Sequence, residues 1–305
     1  MFGVNLRRVT LWLAASFFAW ATLIFAAGPI RALRRTGTAL SFWTGGLVAV
    51  GAFAAFGLWE AAIALGIVVL VAGSFTELEE SGVARGTAAV ISLVGLLATA
   101  GLGLALWCRV VQQRPLQVVS SWISPLFEQA KAMAPAGALD EITVKSIVYQ
   151  TPSALLALGL LTIAVAVMSE RSWIRIAGSR ARRLTEGSEP RRWTDLRIDD
   201  WVIWMLNVGL VAAFIQHGIE PLRWVGLNML NVLGVLYFFQ GMAVIFKIFE
   251  LFRIGMFWQM LFGLLLVLQL ALIVAILGVA DVWLDLRTRF TRRPMAPTSE
   301  SSSGE

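Results

Sequence analysis

Charged residues are scarce in this sequence. Only 14% of its 305 residues are Asp, Glu, Lys or Arg, whereas 58% are hydrophobic, and the mean hydropathy is +0.77. Soluble domains average about 25% charged residues. A chain this apolar could not cover its surface in water, so lipid must serve as part of its solvent. The composition therefore excludes an ordinary soluble protein and predicts an integral membrane protein.

Side chains that catalyse reactions or bind metals are also scarce. The one cysteine, Cys108, can form neither an intramolecular disulfide nor a thiolate metal site, and we interpret it as a packing residue. The one histidine, His217, cannot build a zinc site without thiolate partners, and a solvated loop histidine is favoured over a pH-sensitive group. No Gly-x-x-x-x-Gly-Lys-Ser/Thr loop occurs. We therefore expect no catalytic activity, no metal and no cofactor, and an intramembrane enzyme is the least favoured reading.

The basic residues form no separate domain. The net charge of +6 comes from lysines and arginines that stand between apolar runs and at the chain ends. This distribution suits either contact with anionic lipid headgroups or orientation in the membrane. Nucleic acid is therefore not an expected partner. Arg31, Arg34 and Arg35 directly follow the first apolar run, which favours a retained first helix over a cleaved signal peptide.

Long apolar runs dominate the chain, and a helix of about 20 residues crosses a bilayer. Eight such runs follow one another, at about Val9–Ala27, Ala39–Leu58, Ala61–Phe75, Thr87–Val111, Val148–Met168, Trp201–Ile215, Trp224–Ile245 and Phe257–Leu284. Tryptophans near the run ends match the aromatic belt of membrane proteins. The predicted fold is all-α, a polytopic transmembrane bundle of about eight helices in a single domain over residues 1–290. Runs two and three either form a tight hairpin or include a re-entrant segment. The predicted number of spans is therefore seven, eight or nine.

Three segments lie outside these runs. The segment at about 112–145 has apolar residues at helical spacing and is typical of an interfacial amphipathic helix. The loop at about 170–200 is rich in arginine, and its Arg180, Arg182 and Arg183 are candidate contacts for lipid or a partner. The tail at 291–305 is polar and is expected to be disordered.

The membrane orientation stays open at the sequence level. If successive runs cross the membrane in alternating directions, the odd-numbered loops together hold a small majority of the 25 lysines and arginines. The arginine-rich loop supplies most of the basic residues on that side. The basic tail and the arginine-rich loop then fall on opposite sides, so the positive-inside rule is only weakly decisive.

Polar residues inside apolar runs are the candidate solute-binding residues, because burying them in lipid costs free energy unless they find partners. They are Asn228, Asn231, Gln240 and Asp281. For the asparagines, hydrogen bonding to neighbouring helices is a somewhat favoured alternative to solute binding. For Asp281, pairing with an arginine from a neighbouring loop is favoured over ion or proton handling.

Several C-terminal segments resemble one known family. Trp201–Ile215, Gly226–Asn228, Tyr237–Ala243 with its Gln-Gly pair, and Leu277–Arg287 with its Gly-x-x-Asp-x-Trp-x-Asp-x-Arg ending resemble the YybS-like bacterial membrane proteins of unknown function. The resemblance is clearest over residues 145–290. That family is considered similar in fold to the substrate-binding S components of energy-coupling-factor transporters, and more distantly to the rod-shape protein MreD.

The resemblance implies an enlarged S component whose central helices surround a cavity for a small solute. Ala15 and Ala19, a small-xxx-small pair in the first run, would then resemble the Ala-x-x-x-Ala that contacts the transmembrane coupling subunit.

The leading hypothesis is a non-enzymatic subunit of the bacterial cytoplasmic (inner) membrane, multi-pass and S-component-like. It would bind a small-molecule solute or serve transport within a larger complex of membrane proteins, with an ATPase supplied by another chain. The alternative is an MreD-like scaffold of the cell envelope that acts in wall synthesis or division.

Overall fold

The protein is all-helical wherever its structure, a computed structural model, describes it: residues 15, 26–133, 141–177, 198–214, 220–255 and 269–286, with single positions at 258, 262, 265, 266 and 289. This part of the chain holds nine helices and no strand. They are α1 (Ala27–Thr36), α2 (Ala39–Ala55), α3 (Trp59–Glu80), α4 (Arg85–Val111), α5 (Pro115–Met133), α6 (Glu141–Ala177), α7 (Val202–Phe214), α8 (Glu220–Leu251) and α9 (Ala271–Leu284).

Four helices are long and apolar enough to cross a membrane: α3, α4, α8 and the Ser146–Glu170 part of α6. Three further apolar helices are shorter, namely α2, α7 and α9. Each apolar run from the second to the eighth thus contains a helix, and the first run lies outside the described residues except for Ala15. The prediction of an all-α membrane bundle is confirmed.

A short turn joins runs two and three. The third run extends beyond its predicted bounds, because α3 begins at Trp59 and ends only at Glu80. Gly57 joins the two helices with a φ of 77°, a left-handed conformation that glycine adopts without steric cost. Both runs are helical, and the choice between a hairpin of two spans and a re-entrant segment stays a prediction.

The chain divides by its internal contacts into two compact units. Unit 1 comprises residues 1–190 and 212–232, and unit 2 comprises 191–211 and 233–305. Helix α8 is continuous and contributes its first part to unit 1 and its second part to unit 2. The single domain predicted over 1–290 stays a prediction.

Helix α1 forms the centre of unit 1, where it packs against both α3 and α6. Its first residues are small or apolar, and Ala27, Ile30 and Ala32 are fully buried. Gly28 permits the close approach of α6, because a Cβ there would overlap the side chains of Ser169 and Trp173. The short helix is thus held by tertiary contacts, since ten residues alone would not form a stable helix in water.

Helix α5 lies within the segment predicted to be amphipathic. Val118 and Phe127 are buried, and α5 contacts α4 and α6. Trp122 and Leu116 are 55% and 49% exposed. The polar side of the helix includes Ser120 and Ser124, whose hydroxyls donate to α5's own carbonyls.

In unit 2, α8 and α9 touch backbone to backbone. A Cβ on Gly241 would overlap the Val274 carbonyl oxygen, and a Cβ on Gly278 would overlap the Tyr237 carbonyl oxygen. Two glycines thus let the helices approach more closely than any side chain would allow. This crossing brings Gln240 of α8 next to Asp281 of α9.

Candidate functional site

A buried cluster of arginine and glutamate side chains joins three helices of unit 1. At its centre, the fully buried Arg31 of α1 contacts Glu79 of α3 at 2.5 Å and Glu170 of α6 at 3.1 Å, in both cases through Nη2. Its Nη1 is 3.5 Å from the Thr76 hydroxyl, and its guanidinium lies 5.1 Å from the centre of the Phe75 ring. Arg31 is thus held by two charges and an aromatic face at once.

Further ion pairs surround Arg31. The Nε of Arg35 is 2.7 Å from Glu170, and Nη1 of Arg34 is 2.9 Å from Glu80. The 49% exposed Arg85 reaches Glu79 at 2.6 Å. The indole of Trp43 donates to Glu77 at 2.9 Å. Four arginines thus face four glutamates, so the charges of this arginine–glutamate cluster balance.

The interpretation of the arginines after the first run as headgroup contacts is wrong for Arg31. It is buried against carboxylates of other helices instead of facing lipid or water. The pattern that points to its partners is visible in the sequence, because Glu77, Glu79, Glu80 and Glu170 close runs three and five. Alternating runs place those ends on the same side as the start of α1.

Asn228 bonds to two backbone groups of α6 beside Pro152. Pro152 lies inside α6 and carries no N–H, so the helix loses one bond there. One turn of α6 offers Ser153 N–H and the Tyr149 carbonyl, the pair that a regular helix joins. The Asn228 Oδ1 accepts from Ser153 N–H at 3.1 Å, and its Nδ2 donates to Tyr149 O at 2.9 Å. The side chain of Asn228 on α8 therefore bonds to a backbone donor and a backbone acceptor of one turn of α6.

Asn231, one turn further along α8, presents a free acceptor. Its Nδ2 donates to Gln150 Oε1 at 2.8 Å and to Ser153 Oγ at 3.0 Å. Its Oδ1 accepts no hydrogen bond from the residues that the structure describes, and the residue is exposed. We call Gln150, Ser153, Asn228 and Asn231 the amide site.

Two aromatic rings close one end of the amide site. Tyr149 and Trp224 stack with their centroids 4.8 Å apart and their planes at 16°. The Arg223 guanidinium lies 5.8 Å from the centre of the Trp224 ring. The Trp224 carbonyl also accepts from Asn228 Nδ2 at 2.8 Å. The arrangement offers hydrogen bonds and an aromatic surface, but no described carboxylate.

We expect Asn228→Leu to destabilise the protein by about 1–3 kcal/mol, because Ser153 N–H and the Tyr149 carbonyl would lose their amide partner. The loss should shrink in a Pro152→Ala background, where a regular α6 can satisfy its own backbone. A double-mutant cycle of thermal stability in detergent measures this coupling. Equal losses of stability in both backgrounds would contradict the role of Asn228 as a hydrogen-bond partner of the α6 backbone beside Pro152.

Gln240 and Asp281 are brought together in unit 2. Gln240 is fully buried and Asp281 is 4% exposed. Gln240 donates to Asp281 Oδ2 at 3.2 Å and accepts from the Ile198 backbone N–H at 3.2 Å. The NH2 group and the oxygen of the Gln240 side-chain amide are therefore both engaged, as expected for a polar residue in an apolar span. The asparagine pair, by contrast, belongs to unit 1.

The remaining candidates are placed as follows. Ala15 is fully buried and packs in a core of unit 1 that includes Ala27, Ile30 and Val68. Ala19, the arginines Arg180, Arg182 and Arg183, and His217 lie outside the described residues. Cys108 is buried. Among described residues, no group of three or more His, Cys, Asp and Glu could hold a metal ion.

Comparison with known proteins identifies one family. A family model described as "Predicted membrane protein (DUF2232)" matches residues 9–282. No curated protein and no solved structure matches the chain. The match covers most of the sequence, from the first apolar run to the Asp281 region of the last. The chain therefore belongs to the DUF2232 family of membrane proteins.

Proposed function

We propose that the chain is a non-enzymatic, multi-pass subunit of the bacterial cytoplasmic membrane that binds a small polar solute at the amide site and works in a larger membrane complex. Membership of a membrane-protein family supports the location in a bilayer. The resemblance to YybS-like proteins and to S components supports solute binding. In the described part of the chain, four helices long and apolar enough to cross a membrane and three shorter apolar helices support such a scaffold.

The exposed amide of Asn231 carries the proposal. Asn231 lies about 16 Å along α8 from its start at Glu220, well inside a span. An exposed amide at this depth is unfavourable in hydrocarbon, because its free oxygen would have no partner. The side chain is therefore better explained if a polar solute or a partner covers it. The neighbouring Gln150 and Trp224 offer such a solute a second amide and an aromatic ring.

The proposed assembly needs a second chain for its energy. This sequence contains no Gly-x-x-x-x-Gly-Lys-Ser/Thr loop with which to hold the phosphates of a nucleotide. A solute-binding subunit that drives transport would therefore associate with an ATPase and a coupling subunit. Co-purification in mild detergent tests this association directly.

Solute binding should appear as thermal stabilisation of the purified protein. A panel of amino acids, nucleosides and vitamins is screened for a rise in Tm, because a ligand that binds only the folded state stabilises it. A ligand present at 100 times its Kd should contribute about 2.7 kcal/mol. Asn231→Leu should abolish the rise, since it removes the free acceptor from the amide site.

The matched control is Gln113→Leu, which removes an exposed amide outside the site. It should leave the ligand-induced rise in Tm unchanged. If no member of the panel stabilised the protein, or if Asn231→Leu and Gln113→Leu responded alike, the amide site would not bind the solute.

A second candidate function is that of an MreD-like scaffold in wall synthesis or division. The observation in its favour is α5, which leaves Trp122 and Leu116 exposed beside a polar face. Under this alternative, reversing the charge of Arg180, Arg182 and Arg183 should change cell shape, whereas Asn231→Leu should not.

A further inference from the structure

The two ends of unit 1 carry different polar groups. The arginine–glutamate cluster joins α1 to the C-terminal ends of α3 and α6. The amide site joins the N-terminal parts of α6 and α8. The stretch of α6 from Ser153 to Glu170 is about 25 Å long. The cluster and the amide site therefore lie towards opposite ends of the same span.

The alternation of helices in unit 1 agrees with this arrangement. Helix α4 runs for 27 residues, or about 40 Å, away from the cluster end, where Arg85 pairs with Glu79. Helix α6 returns to the cluster end, where Glu170 pairs with Arg31. Helix α8 begins beside the start of α6, because Trp224 stacks on Tyr149.

Lysine and arginine are distributed unequally between these two ends. Five arginines occur in residues 171–190 of unit 1, which directly follow the end of α6's membrane-spanning part, and Arg31, Arg34, Arg35 and Arg85 belong to the cluster. The opposite end has Arg109, Arg114, Lys131 and Lys145 between α4 and the α6 span, and Arg223 at the start of α8. By alternation, Arg7 and Arg8 add to that opposite side, which gives seven basic residues there against nine at the cluster end. The positive-inside rule assigns the more basic side to the cytoplasm.

We infer that the cluster end of unit 1 faces the cytoplasm and that the amide site lies in the outer half of the membrane. If the proposed solute binding holds, which is the premise for this functional consequence, the solute reaches Asn231 from outside the cell. The chain would then capture its solute for import, and an energy-supplying partner would meet the cytoplasmic end.

Cysteine labelling in spheroplasts tests the orientation. The buried Cys108 is first replaced by alanine. Single cysteines are then placed at Ser81 and Gln113, exposed positions beyond the two ends of α4. A membrane-impermeant maleimide should label Gln113→Cys in intact spheroplasts, and Ser81→Cys only after permeabilisation. Both variants should label when the membrane is opened, which controls for thiol reactivity.

The reverse pattern, or equal labelling of both positions in intact spheroplasts, would overturn the inferred orientation. The readout needs no solute, so it separates the two proposals. Labelling as expected without any stabilising ligand would leave the orientation standing and remove the solute. Reversed labelling with a stabilising ligand would keep the binding site and place its opening on the cytoplasmic side.

Discussion

Replacing Arg31 with methionine should lower the free energy of unfolding by about 3–5 kcal/mol, the usual cost of removing one partner from a buried ion pair. Methionine approximates the length of arginine but carries no charge. Glu79 and Glu170 are each almost fully buried, and both contact the same guanidinium nitrogen. Without Arg31, two carboxylates would share a site of low polarity, and their remaining pairs with Arg35 and Arg85 would have to neutralise them.

Arg85→Gln provides the control within the same cluster. Arg85 also pairs with Glu79, but its side chain is 49% exposed. Exposed pairs contribute about 0–1 kcal/mol, because water screens the charges and the long side chain loses entropy. Thermal unfolding in detergent, followed by loss of monodisperse protein, ranks the two variants. Similar losses for Arg31→Met and Arg85→Gln would show that burial does not determine the strength of the cluster.

The helical membrane fold could be predicted because it depends on composition along single stretches of chain. Runs such as Thr87–Val111 and Trp224–Ile245 contain nearly all the information needed for α4 and α8. Backbone groups in hydrocarbon must bond within their own segment, so a long apolar run has few alternatives to a helix. The ends of the helices are predicted less accurately, since α3 continues past Phe75 to Glu80. Those extra residues are stabilised by ion pairs with α1.

The polar contacts could not be predicted in the same way, because each depends on residues far apart in sequence. Asn228 stands out in the sequence as a polar residue within a run, but its partners are 75 and 79 positions away on α6. Pro152 is the local feature of the sequence that indicates such partners, since a proline within a span leaves backbone groups unsatisfied. Arg31 directly follows the first apolar run in the sequence, whereas the structure places it in α1, which packs against both α3 and α6. If the alternation of spans is applied to the glutamates as well as to the arginines, it places Arg31 on the same side of the membrane as the glutamates that pair with it.

Gly278→Ala should have the second large effect, a loss of about 3 kcal/mol, at the upper end of the usual cost of overpacking. A Cβ at this position would lie 2.8 Å from both the Tyr237 carbonyl carbon and the Gly241 nitrogen. These are backbone atoms of α8, so no side-chain rotation can relieve the overlap. The two helices would have to move apart, and the hydrogen bond from Gln240 to Asp281 would lengthen with them.

Gly234→Ala is the matched control on α8, because a Cβ there meets no described atom within 4 Å. Alanine is a better helix former than glycine by about 1 kcal/mol, so this change should raise Tm slightly. Opposite signs at Gly234 and Gly278 are therefore expected from the same glycine-to-alanine exchange. The comparison separates the conformational preference of the residue, which favours alanine at both positions, from the backbone contact that only Gly278 makes. A gain in stability at both positions would mean that α8 and α9 do not touch at their glycines.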